Sequence, residues 1–91
     1  MRLEWDEDKR LINWQKHDID FADVWQVFEG ESLTGLDDRF DYDETRFVTY
    51  GLLEGEVVVV AHTENDDTIR VISARKAEKY EQEEFFHKIW D

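Results

Sequence analysis

The stretch from Glu56 to Arg75, EVVVVAHTENDDTIRVISAR, does most to restrict what this chain can become. Val57 to Val60 is an unbroken β-branched run, and Ile69, Val71 and Ile72 form a second apolar segment. Glu64-Asn65-Asp66-Asp67 lies between them, and Asn and Asp tolerate the left-handed backbone that tight turns demand. Two β-branched runs around such a turn predict a β-hairpin. Both runs are apolar on both faces at their middles, which places the hairpin at the centre of a sheet covered on two sides. His62, Arg70 and Arg75 stand out there, because polar groups at the centre of a sheet cost free energy unless paired.

The 91 residues suit one domain spanning 1–91, and the 41% apolar content with four Trp supports a packed core rather than an acidic disordered chain. The absence of Cys excludes disulfides and thiolate metal sites. No apolar run approaches the roughly 20 residues of a membrane span, and the N-terminus has no secretory pattern, so a cytoplasmic protein is expected. The net charge of −13 favours basic partners and opposes direct binding to duplex DNA, which requires a positive face. Most of the excess negative charge precedes Arg46, whereas Arg46, Arg70, Arg75, Lys76 and Lys79 gather on or beside the hairpin.

Along the chain, Arg2 to Trp5 alternates like a short strand, and Asp6 is a suitable N-cap for a helix running to about Lys16. Leu11 and Ile12 are expected to face inward. Lys9, Asn13, Lys16 and His17 form one stripe, which reads from the residues alone as a solvated face ending in a cation near the helix carboxyl end. Asp20 caps a second helix whose Phe21, Val24, Trp25 and Phe28 repeat at helical spacing, and Gly30 is expected to end it in a left-handed conformation. Ser32 to Glu44 is irregular, with acids at Asp37, Asp38, Asp41, Asp43 and Glu44 that lack calcium-loop spacing; Leu36, Phe40 and Tyr42 suggest a partial strand. Arg46 to Leu53 should be a strand with Phe47, Thr49 and Gly51 on one face and Val48, Tyr50 and Leu52 on the other. With the Glu54-Gly55 turn it predicts a three-stranded antiparallel meander from Arg46 to Arg75. A last helix follows, with Tyr80, Phe85, Phe86, Ile89 and Trp90 on an apolar face and Glu78, Glu81, Glu83 and Glu84 on an acidic one. The order predicts an α+β fold, a small antiparallel sheet with two N-terminal helices and a C-terminal helix packed on it.

No glycine-rich phosphate loop, metal-ligand spacing or nucleophile elbow is present, so neither cofactor nor metal is expected. Cleaving an RNA phosphodiester through its own 2′-OH needs only a base, an acid and cations for the phosphorane charge, groups that His, Glu and Arg can supply. The residues alone leave open the alternative that Arg70 and Arg75 make structural ion pairs with the many carboxylates.

Two motifs bear on that choice. W-D-E-x-K-x-x-x-N-x-x-K-H-x-I-x-F begins at Trp5, and R-x-I-S-A-R-x-A begins at Arg70. With Arg46 between them, and a likeness extending from Trp5 to about Phe85, the chain resembles the BrnT family of type II toxin–antitoxin modules. The resemblance implies a RelE-like fold and a metal-independent ribonuclease. It also implies neutralisation by a BrnA-type antitoxin with a ribbon-helix-helix DNA-binding part, in a toxin–antitoxin heterotetramer. The family pattern falls on Lys9, Asn13, Lys16, His17, Arg46, His62, Glu64, Arg70, Arg75 and Glu81. It implies catalytic roles for His62, Glu64, Arg70 and Arg75 and RNA contacts for Lys9, Lys16, His17 and Arg46. The chain departs from the family at Asn65, Gln82 and Phe85, where Arg, Arg and Tyr are common. Those departures frame the alternative, a catalytically weakened protein whose acidic surface serves as a binding module.

Overall fold

A computed structural model describes residues 1–38 and 43–90. Its elements are β1 (Arg2–Trp5), α1 (Glu7–His17), a 3₁₀ turn (Phe21–Asp23), α2 (Trp25–Glu29), β2 (Ser32–Leu36), β3 (Phe47–Leu53), β4 (Glu56–Asn65), β5 (Thr68–Lys76) and α3 (Lys79–Trp90). The fold is α+β, and the strands form one sheet in the order β1-β5-β4-β3-β2. The expected meander is β3-β4-β5, with the hairpin strands in the interior. The sheet is mixed rather than antiparallel, because β1 runs parallel to β5. That pairing joins segments far apart in sequence, and no local pattern announces it.

Side-chain alternation builds two cores. On one face Val58, Val60, Val71 and Ala74 meet Ile19, Phe21, Val24 and Val27 from the 3₁₀ turn and α2. On the other, Val57 and Val59 meet Ala77 and Phe85, with Leu33, Val48, Tyr50, Leu52, Phe86 and Ile89 around them. Each valine buried this way contributes on the order of 1.5–3 kcal/mol, which is why the Val57–Val60 run holds both layers. Gly51 lets α2 press against β3, since a Cβ there would sit 2.7 Å from Val27 Cγ1 and 3.2 Å from the Val27 carbonyl oxygen.

Several local expectations are corrected. Leu11 and Ile12 do not face inward; they are 52% and 63% exposed, and Asn13 is the buried residue of α1. Trp25 is also exposed, and Val27 takes the core position assigned to it. Gly30 is extended (φ −96°), and the left-handed cap lies instead at Asp18 (φ 59°), which ends α1. A strand does form within Ser32 to Glu44, but as β2 over Ser32–Leu36; of the residues that suggested it only Leu36 falls there, while Phe40, Asp41 and Tyr42 lie outside the described residues. In α3, Glu81 is on the buried side and Tyr80 and Trp90 are exposed.

The turns set the register. Glu54 (φ 51°) and Gly55 (φ 82°) close the β3–β4 hairpin, the two positive φ values that suit the right-handed twist of its strands. The β4–β5 hairpin closes over Asp66-Asp67, with Asn65 opposite Thr68. That two-residue turn sets Thr63 opposite Arg70 and His62 opposite Val71, and a bulge between His62 and Ala61 then shifts the pairing by one, so Ala61 lies opposite Ser73 and Val59 opposite Arg75.

Candidate active site

Arg75 lies opposite Val59 on the face that α3 covers. Its guanidinium donates to both oxygens of Glu81, Nη1 to Oε1 at 2.8 Å and Nη2 to Oε2 at 2.9 Å. Glu81 is the third residue of α3, and Oε1 also accepts the Glu78 backbone N–H at 2.8 Å, as an acid in a helix's first turn commonly does. The Tyr50 hydroxyl completes the group at 3.5 Å from Oε2. Hydrogen bonding to Arg75 holds the Glu81 carboxyl below its ordinary value, and the same bond raises Arg75. Burial pushes the Tyr50 phenol up, with Glu81 adding to it. Glu81 is 7% exposed, whereas the Arg75 side chain remains more than a third open to water. It lines a cleft of about 360 Å³ with Ser73, Tyr80, Ala61 and Gly35. A guanidinium fixed in a bidentate pair beside an open cleft is a pre-oriented anion-binding group.

α1 brings further cations to this group through a polar anchor. β1 pairs with β5 only as far as Val71, so Ala74 lies beyond the end of the neighbouring strand. The Asn13 side-chain amide takes that strand's place. Its Nδ2 donates to the Ala74 carbonyl at 2.9 Å, and its Oδ1 accepts the Ala74 N–H at 3.1 Å. Nδ2 also donates to the Ile19 carbonyl at 3.3 Å. Arg10 bonds Glu7 and both carboxylate oxygens of Asp20, holding the helix to the following turn. One turn beyond Asn13, Lys16 and His17 lie near enough to Arg75 for His17 to register both charges. Partial burial first, then Lys16 and Arg75, lower the His17 pKa. An imidazole at a helix carboxyl end would ordinarily be pushed the other way.

The remaining expected residues lie elsewhere. His62 is 0% exposed on the opposite face, edge-on to Phe28 at 5.0 Å and stacked with Phe47 at 5.9 Å. Its Nε2 shares a 2.7 Å hydrogen bond with Thr49 Oγ1, which lies 2.8 Å from Thr34 Oγ1. Nδ1 has no hydrogen-bond partner among the described residues, and Glu64 Oε1 is 3.7 Å away. Burial depresses His62 to about 4, so the ring is neutral at pH 7. Arg70 is at the far end of β5, five residues and roughly 16 Å from Arg75 along the strand. It faces Glu4 at 3.5 Å in a separate cleft that Glu64, Asn65, Thr63 and Glu44 also line. Arg46 precedes β3, whose first residue, Phe47, is opposite His62. Lys9 lies in the first turn of α1, about 10 Å of helix from Lys16. The structure therefore brings His17 within electrostatic reach of both Lys16 and Arg75, and places His62, Glu64, Arg70 and Lys9 away from that group. Glu81 and Tyr50 are the two site residues that spacing alone did not select. The signal for Glu81 is its place three residues after Glu78, and for Tyr50 its place between Val48 and Leu52 on the α3 face. Among the described residues no group of His, Cys, Asp or Glu is arranged to hold a metal.

No curated protein matches the chain. The model of a family described as ribonuclease toxin, BrnT, of type II toxin–antitoxin systems matches residues 5–81. That span runs from Trp5, the last residue of β1, through β5 and the Asn13 anchor to Glu81 in the first turn of α3, while the rest of α3 follows it. The anchor, the arginine and its carboxylate partner thus all fall inside the matched region, and the chain belongs to the BrnT family of type II toxin–antitoxin ribonuclease toxins.

Proposed function

We propose that the chain is a metal-independent endoribonuclease with a RelE-like fold, and that its scissile phosphate sits at Arg75. The observation that carries this reading is the half-open guanidinium of Arg75, held flat by Glu81 beside the cleft. Arg75 and Lys16 neutralise the phosphorane charge, and Glu81 and Tyr50 position Arg75. His62 and Glu64 lie away from this cleft, so the proton-transfer role expected of them passes in this reading to His17. Its lowered pKa leaves the ring neutral at pH 7 and ready to act as a base. His17 accepts the proton of the 2′-OH, the 2′-oxygen bonds to phosphorus, the bond to the 5′-oxygen breaks, and that oxygen takes a proton from water. Arg70, Arg46 and Lys9 serve as contacts to the RNA backbone further along. A BrnA-type antitoxin with a ribbon-helix-helix part neutralises the toxin in a heterotetramer.

The test is degradation of RNA by the purified chain, at low salt with a chelator present. Cleavage that Arg75→Ala abolishes while the protein stays folded supports the assignment; full cleavage by that variant refutes it. One observation favours a second reading. The two outer nitrogens of Arg75 are already occupied by a carboxylate in a chain of net charge −13. A purified chain that leaves RNA intact yet binds its antitoxin would be an acidic binding module on a toxin scaffold.

A further inference from the structure

The two margins of the sheet are built differently. The β1 margin is short, carries Arg2 and Glu4, and beyond β1 the exposed backbone of β5 is taken up by Asn13. The β2 margin, Ser32-Leu33-Thr34-Gly35-Leu36, has no charge and no proline, and no strand among the described residues pairs with its outer side. Natural edges are normally protected by charge, proline, bulges or a covering segment. β2 has none of the first three over its five paired residues.

The groove beside this edge is shaped for side chains. A Cβ placed on Gly35 would have nothing within 4 Å, and Leu36 is 67% exposed. Between the edge and α3 lies an opening of about 330 Å³ lined by Leu33, Tyr50, Tyr80 and Phe85. The exposed acids Glu31 and Asp38 flank β2 at its two ends, while on the far wall of the groove Glu84 is paired with Lys88 at 3.1 Å.

We propose that the outer edge of β2 is the docking site for an extended, positively charged segment of the antitoxin, which adds to the sheet as a sixth strand. The proposal rests on the toxin–antitoxin reading for the identity of the partner. Main-chain hydrogen bonds to Ser32–Leu36 supply the pairing. An alternating apolar side chain settles over Gly35 between Leu33 and Tyr80, and basic residues meet Glu31 and Asp38 at the two ends of β2. Gly35, Tyr50, Tyr80 and Glu81 border both this groove and the Arg75 cleft. A strand docked here therefore covers the mouth of that cleft, which joins binding to neutralisation.

The test is amide hydrogen exchange on the full chain, alone and co-purified with its antitoxin, together with Gly35→Lys and Leu36→Lys. Both substitutions point into open space in the free protein, and exchange in β4 and β5 reports that each variant is folded. The expected result is slowed exchange at Ser32–Leu36 on complex formation, with antitoxin binding weakened by about tenfold or more in each variant. Unchanged exchange in β2, undiminished binding by the variants, or failure of the antitoxin to bind overturns the proposal. So does sedimentation showing that the free chain self-associates through β2, since a second copy would then be the occupant. RNA degradation by the free chain separates the two readings. Cleavage without β2 protection sinks the docking site alone, and β2 protection without cleavage sinks the nuclease alone.

Discussion

The two faces of the sheet hold two ionisable groups in opposite circumstances. His62, on the face under α2, is sealed from water and lies between two phenyl rings; its ring is held neutral, with Thr49 for company. Arg75, on the face under α3, is half in water and fixed by a buried carboxylate. Both residues lie in the central hairpin and within the span that the family model matches. The difference is one of parity and of what lies above the strand, since α2 approaches closely over Gly51 whereas α3 leaves a cleft beside Tyr80. A matching residue can thus serve the core or the chemistry, and its neighbours decide which.

The sharpest way to break this comparison is Arg75→Ala, for which RNA cleavage should fall on the order of 10²–10³-fold, as for loss of one pre-oriented transition-state donor. A loss below tenfold, measured at saturating RNA, would move the chemistry elsewhere. His62→Ala should do the reverse. It removes a fully buried ring and should cost on the order of 3 kcal/mol in denaturant unfolding, with cleavage per folded molecule unchanged. Wild-type stability adds a pH arm to the same contrast. His62 has a folded pKa of about 4 against an ordinary 6.5, so only the unfolded chain takes up its proton between those values. Stability should fall as pH drops from 6.5 towards 4, by roughly 3 kcal/mol, and His62→Phe should flatten that slope.

Asn13→Ala comes next, at about 1–3 kcal/mol, because it strands buried backbone groups of Ala74 and Ile19. It should also reduce cleavage by loosening the turn that carries Lys16 and His17; unchanged cleavage would detach α1 from the site. His17→Gln should remove the acidic limb of the pH–rate profile, a limb that in the parent lies below pH 6.5 because the folded pKa is lowered. The smallest effect belongs to Leu11→Gln and Ile12→Gln, expected within about 0.5 kcal/mol by thermal unfolding because both side chains already face water.

The meander was legible because period-two alternation from Phe47 to Leu53 and the Val57–Val60 run report burial directly. α1 was misread for a physical reason. Hydrophobic periodicity assumes that a helix docks through apolar side chains, whereas this one docks through the Asn13 amide on an unpaired stretch of β5. The register at His62 turns on whether the loop holds two residues or three, and Asp66-Asp67 makes it two; the register at Arg75 also needs the bulge at Ala61, which leaves no mark in composition. The approach of His17 to Arg75 follows from the parallel β1–β5 pairing and the Asn13–Ala74 bonds, contacts across more than sixty residues that no local pattern encodes. Glu81 was visible as a family position, but its turn into the core became clear only with α3 in place.

The Asn13–Ala74 bond spans 61 residues, and it carries a consequence for synthesis. A ribosome releases the first helix early, yet that helix has no berth until the strand ending at Lys76 has emerged. The central hairpins can zip up locally and quickly, while the amino-terminal unit waits on a long loop closure. The Asn13 anchor, and with it the approach of His17 to Arg75, accordingly forms only after β5 is in place.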